Sequence, residues 1–153
     1  MKKTAWRTLF LLCLTSVLLV ISLPWWKFDG TTHWENVYWI PFSGPLSLHP
    51  KIIFEIVGNL TLFVPIGYLF VRSFSPGIGQ PLLWAAAVGL ASSFSIEVYE
   101  LFCRYRAIET ADLILNTAGT VLGAQVALKL DDLISSSLSG RIPFAPPNSN
   151  KSE

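Results

Sequence analysis

Residues 95–123 read SIEVYELFCRYRAIETADLILNTAGTVLG. This segment begins at the end of one apolar run, 81–96, and ends inside another, 113–128. The connection between the two runs is charged, and its ionisable side chains are Glu97, Glu100, Arg104, Arg106, Glu109 and Asp112. Ionisable groups at the edge of a bilayer are energetically costly, which makes them candidates for function. We therefore interpret the rest of the chain as the scaffold that holds this segment in a membrane.

The composition is that of an integral membrane protein. Of the 153 residues, 52% are apolar and 14% are charged, and the mean hydropathy is +0.51, whereas soluble domains carry about 25% charged residues. A net charge of +1 lacks the basic footprint that nucleic-acid binding requires. Cys13 and Cys103 fall at opposite ends of the predicted spans, and His33 and His49 are isolated in the sequence. We therefore predict no disulfide, no metal site and no cofactor.

Four apolar runs predict an all-α fold, a polytopic four-transmembrane-helix bundle, because about 20 apolar residues cross ~30 Å of hydrocarbon. The predicted spans are 6–26, 52–71, 81–100 and 111–128. The first run begins after basic residues, as a signal peptide also does. Its end at Leu23, Pro24, Trp25 and Trp26 lacks the small residues of a cleavage site, which favours a retained helix.

The spans divide the chain into three parts. Residues 1–7 form a short N-terminus, 8–130 form the membrane domain, and 131–153 form a polar tail. Within the tail, 131–139 is predicted to be a short amphipathic helix and the remainder to be disordered, because it is polar and rich in proline.

Four spans bring the end of the first and third helices, and the start of the second and fourth, to one side of the membrane. The candidate binding residues all lie towards that side: Glu55, Asn59, Glu97, Glu100, Arg106, Asp112 and Asn116. With a cytoplasmic N-terminus, seven Lys and Arg residues are inside and four are outside. The positive-inside rule therefore places both termini in the cytoplasm and the polar cluster outside, in a bacterial cytoplasmic membrane.

The loop 27–51 lies on the same side and is rich in aromatic residues. Such a loop either rests on the interface with its rings at headgroup depth or forms a short re-entrant or lid element over a polar pocket, and the sequence favours the first alternative. The rings are those of Phe28, Trp34, Tyr38, Trp39 and Phe42.

Two interpretations of the polar cluster stay open. In the first, Glu100 pairs with Arg104 and Arg106 pairs with Asp112, so that the charges form a cap that locks two helices together. In the second, an Arg binds an anionic headgroup and the carboxylates supply hydrogen bonds or acid–base chemistry. Independently, Gly119 and Gly123 are four residues apart and predict close packing against another helix.

These residues resemble the pattern of the VanZ-like family of small bacterial membrane proteins: Glu-x-x-Gln, an Arg six residues on, an Asp six beyond, an Asn four later, and Gly three and seven after the Asn. The matching positions here are Glu97, Glu100, Arg106, Asp112, Asn116, Gly119 and Gly123. Two earlier pieces are similar as well, N-x-x-L-F-x-P-x-G over 59–67 and I-P-F over 40–42. The chain departs from the pattern at Glu100, where Gln is usual. The resemblance implies an association with lowered susceptibility to teicoplanin-type glycopeptides, and it implies no particular reaction.

Three functions follow as hypotheses. The first is a binding protein of the envelope, whose outward cluster engages a lipid headgroup, a cell-wall precursor or a lipoglycopeptide. The second is a membrane-embedded enzyme that acts on a lipid-linked substrate, with Glu97 or Asp112 as acid or base and Arg106 holding phosphate. The third is a small transporter subunit, which at this size requires a homo-oligomer. No nucleophile–base pair and no phosphate loop stands out in the sequence, which favours the first hypothesis.

Overall fold

The computed structural model describes residues 2–23, 25–43, 52–74 and 79–139, and four long helices dominate this part of the chain. Each of the four is long and apolar enough to cross a membrane. The predicted all-α, four-helix membrane fold is therefore confirmed. The helices are α1 (Lys3–Ser22), α2 (Ile52–Phe74), α3 (Pro81–Glu100) and α4 (Thr110–Ser139).

The first loop packs against the connection between α3 and α4. Two short strands, β1 (Val37–Tyr38) and β2 (Ile108–Glu109), pair in parallel between these segments. The backbone amide of Arg104 also donates to the carbonyl oxygen of Lys27 over 2.7 Å. Two 3-10 turns precede β1, at Trp25–Lys27 and Trp34–Asn36. The loop is thus fixed to the connection, while several of its rings are exposed: Trp26, Phe28, Trp34, Trp39 and Phe42.

α1 ends at Ser22, four residues before the predicted end of the first span. Leu23 has extended backbone angles, φ −78° and ψ 139°, and Pro24 follows it in the sequence. The ring of a proline disfavours the helical region for the residue before it, which accounts for the earlier end.

α4 continues to Ser139 as one helix, so the predicted separate helix over 131–139 is its extension. Arg72, in the last turn of α2, forms an ion pair with Asp131, and its guanidinium group lies 5.4 Å from the ring centroid of Tyr68. These contacts hold the extension against α2 in place of the predicted break near 128. The rest of the predicted tail, 140–153, and loop residues 44–51 lie outside the described residues.

Small residues determine how closely the helices approach. α4 packs against both α2 and α3, and α1 packs against α2. A Cβ atom on Gly119 would collide with the carbonyl oxygen of Leu60, and one on Gly123 with that of Val64. Both glycines of α4 therefore face the backbone of α2. This contact brings the starts of α2 and α4 together at the end of the bundle where the polar residues lie.

Candidate functional site

A polar cavity of about 350 Å³ lies where the starts of α2 and α4 meet the connection between α3 and α4. Its volume falls in the range typical of small-molecule sites. Five of the seven predicted site residues line it, namely Glu55, Asn59, Glu100, Arg106 and Asp112, whereas Glu97 and Asn116 lie outside it. Among the described residues, the lining consists of Lys27, Glu55, Asn59, Glu100, Tyr105, Arg106, Ala107, Glu109 and Asp112.

Arg106 forms an ion pair with Glu100 at the wall of this cavity. The Glu100 side chain is 6% exposed and that of Arg106 is 32% exposed. The predicted pairing of Arg106 with Asp112 is therefore wrong. The connection between α3 and α4 brings the guanidinium group of Arg106 to Glu100, at the end of α3. The Asp112 carboxylate accepts a hydrogen bond from a different residue.

That partner is Asn59 of α2. Its Nδ2 atom donates to Oδ1 of Asp112 over 2.6 Å, and the two residues are 53 positions apart in the sequence. Asp112 lies in the first turn of α4, where a carboxylate also interacts favourably with the helix dipole. The bond joins α2 to α4 at the floor of the cavity and holds one carboxylate oxygen in place.

Glu97 is buried on a different side of the connection. Its Oε2 atom accepts a hydrogen bond from the backbone amide of Glu109 over 3.2 Å. It borders a second, largely apolar cavity of about 190 Å³, together with Trp34, Trp39 and Phe94. Glu97 and Glu100 therefore face separate cavities, although they are only three positions apart on α3.

Asn116 lies deeper, between α3 and α4. Its Nδ2 atom donates to Oγ of Ser93 over 2.9 Å, and the Thr120 hydroxyl donates to the Asn116 carbonyl oxygen over the same distance. Its Oδ1 atom is buried and has no hydrogen-bond partner among the described residues. Asn116 therefore forms a hydrogen bond between α4 and α3, and nothing in the sequence pattern pointed to Ser93 as its partner.

Lys27, Tyr105 and Glu109 line the cavity but were not among the predicted site residues. Burial, and then the negative charge of Glu55, raise the pKa of the Glu109 carboxyl group. Tyr105 has a φ of 64°, which is uncommon for a large side chain and marks a tight connection. The sequence did offer a reason to predict Glu109 as a site residue, because it is an ionisable residue directly before a span. For Lys27 the sequence offered no such reason beyond its place next to the first span.

A second group of charges lies on the outer surface of the first loop. Arg104 donates from Nε to Oδ2 of Asp29 over 3.1 Å, so its predicted pairing with Glu100 is wrong. Nε2 of His33 lies 3.0 Å from Oδ2 of Asp29, and its Nδ1 lies 3.1 Å from Oε1 of Glu35. Hydrogen bonds to Glu35 and to Asp29 raise the pKa of His33. These contacts fasten the loop to the connection that forms the cavity wall.

The comparisons with known proteins agree with the pattern read from the sequence. The family model described as VanZ/LLP1 matches residues 7–134, which is most of the chain. No curated protein and no solved structure gives a significant match.

Proposed function

Because the chain belongs to the VanZ/LLP1 family, whose model spans residues 7–134, we propose that it is a membrane protein that binds the polar part of an envelope amphiphile without transforming it. Its ligand is a lipid headgroup, a cell-wall precursor or a lipoglycopeptide. Through this binding the protein modulates the envelope and its susceptibility to teicoplanin-type glycopeptides.

The observation that carries the proposal is the polar cavity itself. It holds about 350 Å³ and is lined by charged and amide side chains at the ends of helices that can span a membrane. A headgroup lies at this depth of a bilayer, between the hydrocarbon and the water. Polar groups that converge at such a place favour a ligand that is itself amphipathic.

The proposed orientation follows from the distribution of Lys and Arg. With both termini in the cytoplasm of a bacterium, the more basic side of the protein faces inward, and the cavity opens outward. The protein then lies in the cytoplasmic membrane, and its cavity meets the side on which cell-wall precursors and glycopeptides are found.

The geometry favours binding over the alternative of a membrane-embedded enzyme. Arg106 is engaged by Glu100, and Glu97 borders the other cavity. Of the two candidate acid–base groups, Glu97 therefore faces away from the polar cavity, and Asp112, which lines that cavity with Arg106, has one carboxylate oxygen held by the Asn59 amide. A phosphate would have to compete with Glu100 for Arg106, which favours binding over acid–base catalysis.

The test is to identify the lipids that copurify with the protein in mild detergent. Ala107 lines the cavity, so Ala107→Trp should fill it and Ala107→Ser should leave it open. We expect mass spectrometry to find a lipid enriched with the wild type and with Ala107→Ser, and lost from Ala107→Trp. Equal retention by all three proteins, each with a normal melting temperature, would contradict the proposal.

A further inference from the structure

The charges that line the polar cavity are not balanced. Its carboxyl groups belong to Glu55, Glu100, Glu109 and Asp112, and its cationic groups to Lys27 and Arg106. Arg106 is already paired with Glu100. Among the described residues of the lining, three carboxyl groups therefore share one remaining cation, Lys27.

The three carboxyl groups are close enough to act on one another. The charges of Glu55 and Glu109 both act on Asp112, and that of Glu55 acts on Glu109. Asp112 accepts a hydrogen bond from Asn59, which brings no charge. Within the described residues, Glu55 and Glu109 have no ion pair. A cationic ligand would relieve this repulsion.

On the basis of the proposed function, we propose that the cavity selects a headgroup in which a primary ammonium group stands next to a phosphate. The ammonium group donates hydrogen bonds to the carboxylates of Glu55, Glu109 and Asp112, and the phosphate reaches the Lys27 ammonium group. An ammonium group has three donors, which matches three carboxylates, and charge-assisted bonds of this kind are the stronger ones.

Other ligand classes fit the cavity less well. An anionic headgroup without an amine would meet three carboxylates, and Lys27 is the one unpaired cation that the described part of the lining offers it. A quaternary amine has no N–H group and is usually bound by several aromatic rings, whereas Tyr105 is the one aromatic side chain among the lining residues that the structure describes. For a metal ion, the described residues contain no group of three or more His, Cys, Asp or Glu side chains placed to hold it.

The selectivity is testable with short-chain lipids and the full-length protein in detergent. Titration calorimetry would compare dihexanoyl phosphatidylethanolamine with the phosphatidylglycerol and phosphatidylcholine of the same chain length. We expect the ethanolamine lipid to bind about 10-fold more tightly than the other two lipids, because neither of those can donate charge-assisted hydrogen bonds from an ammonium group to the carboxylates. Free phosphoethanolamine should displace it, since the headgroup carries the selectivity.

Isosteric variants then locate the selectivity in the cavity. Glu55→Gln and Glu109→Gln should each reduce the preference for the ethanolamine lipid several-fold, and together they should abolish it. Asp132→Asn, an exposed carboxylate on the far part of α4, is the matched control and should change nothing. Because Glu55 is exposed, its variant should fold normally even if Glu109→Gln does not.

Two results would separate the selectivity from the proposed function. If all three lipids bind tightly and Ala107→Trp abolishes that binding, the proposed function stands and the selectivity is overturned. The same conclusion follows if Ca²⁺ competes with the lipids more strongly than phosphoethanolamine does. Binding of none of the lipids, or binding that Ala107→Trp does not alter, would overturn both.

Discussion

Arg106 and Glu100 form an ion pair across the turn between α3 and α4, and the Glu100 side chain is almost fully buried. The pair fixes the cavity wall, and it occupies the position at which this chain carries Glu and the VanZ-like pattern carries Gln. Either side chain can accept a hydrogen bond from a guanidinium group, but only Glu neutralises its charge. Glu100 therefore holds Arg106 and the turn between α3 and α4 more strongly than a Gln at this position would.

The first prediction compares two substitutions at this pair. Glu100→Gln keeps an acceptor for Arg106 and should lower the free energy of unfolding by about 1 kcal/mol. Glu100→Ala leaves the guanidinium group without its partner and should cost about 3 kcal/mol, the low end for a broken buried pair because Arg106 is partly exposed. Thermal unfolding in detergent measures both. Equal losses in the two variants would contradict a role for the ion pair.

A second prediction concerns the contact between α2 and α4. Gly119→Ala and Gly123→Ala each place a Cβ atom against a backbone carbonyl oxygen of α2, and each should destabilise the protein by about 3 kcal/mol through overpacking. Gly58→Ala is the control, because a Cβ atom there meets nothing within 4 Å. It should be neutral or stabilise the helix by up to about 1 kcal/mol. Similar melting temperatures for Gly119→Ala and Gly58→Ala would contradict the close approach.

The sequence was sufficient to predict the four helices, because each apolar run is long enough to decide its own structure. It was also sufficient to place Glu55, Asn59 and Asp112 at one end of the bundle, since that depends only on counting crossings. It could not predict which polar groups pair. Asn59 bonds to Asp112, which is 53 positions away in the sequence. Arg106 pairs with Glu100 and not with Asp112 because of the path of the short connection between α3 and α4.

The first loop shows the same limit. Its aromatic residues indicated a place at the membrane interface, but its pairing with β2 is a contact between segments about 70 residues apart. Two-residue strands have no periodicity from which to predict them. Lys27 was missed for this reason, because only the folded loop brings it to the cavity.

A third prediction uses the pH dependence of His33. Both ring nitrogens face carboxylate oxygens, which accept but do not donate, so the cluster favours the doubly protonated ring. The folded-state pKa is therefore raised above its ordinary value of about 6.5. The stabilisation is fully present below pH ~6.5 and is lost as the pH rises through the raised pKa.

NMR titration of the two histidines would measure this shift directly. The His33→Gln variant assigns the signal, since His49 is the other histidine of the chain. We also expect the melting temperature of the wild type to fall between neutral and mildly alkaline pH, and that of His33→Gln to change less. A midpoint for His33 at or below 6.5 would contradict the prediction.

A fourth prediction tests the proposed orientation. Alkaline phosphatase fused after Thr32 or after Ala107 should be active, because this enzyme folds only outside the cytoplasm. The same reporter fused after Phe74 or after Ser139 should be inactive. An inactive fusion after Ala107 would place the cavity on the cytoplasmic side and would remove direct contact with glycopeptides from the proposed function.

The last prediction concerns the hydrogen bond between Ser93 of α3 and Asn116 of α4. Ser93 is fully buried, and its hydroxyl accepts from Asn116 while donating to the carbonyl oxygen of Asp112 over 3.3 Å. Ser93→Ala removes the acceptor and leaves the buried amide of Asn116 unpaired, which should cost about 2 kcal/mol. Asn116→Leu should cost a similar amount, because it leaves the hydroxyl without its donor.

The double variant, Ser93→Ala with Asn116→Leu, distinguishes a polar requirement from a packing one. If the pair acts only as a link between helices, replacing both partners by apolar groups should recover most of the stability, because no buried polar group is then left unpaired. Lipid retention should also recover, since neither side chain lines the polar cavity. A double variant that is stable but no longer retains lipid would instead make Asn116 part of the binding site, with its buried Oδ1 atom as the group that meets the ligand.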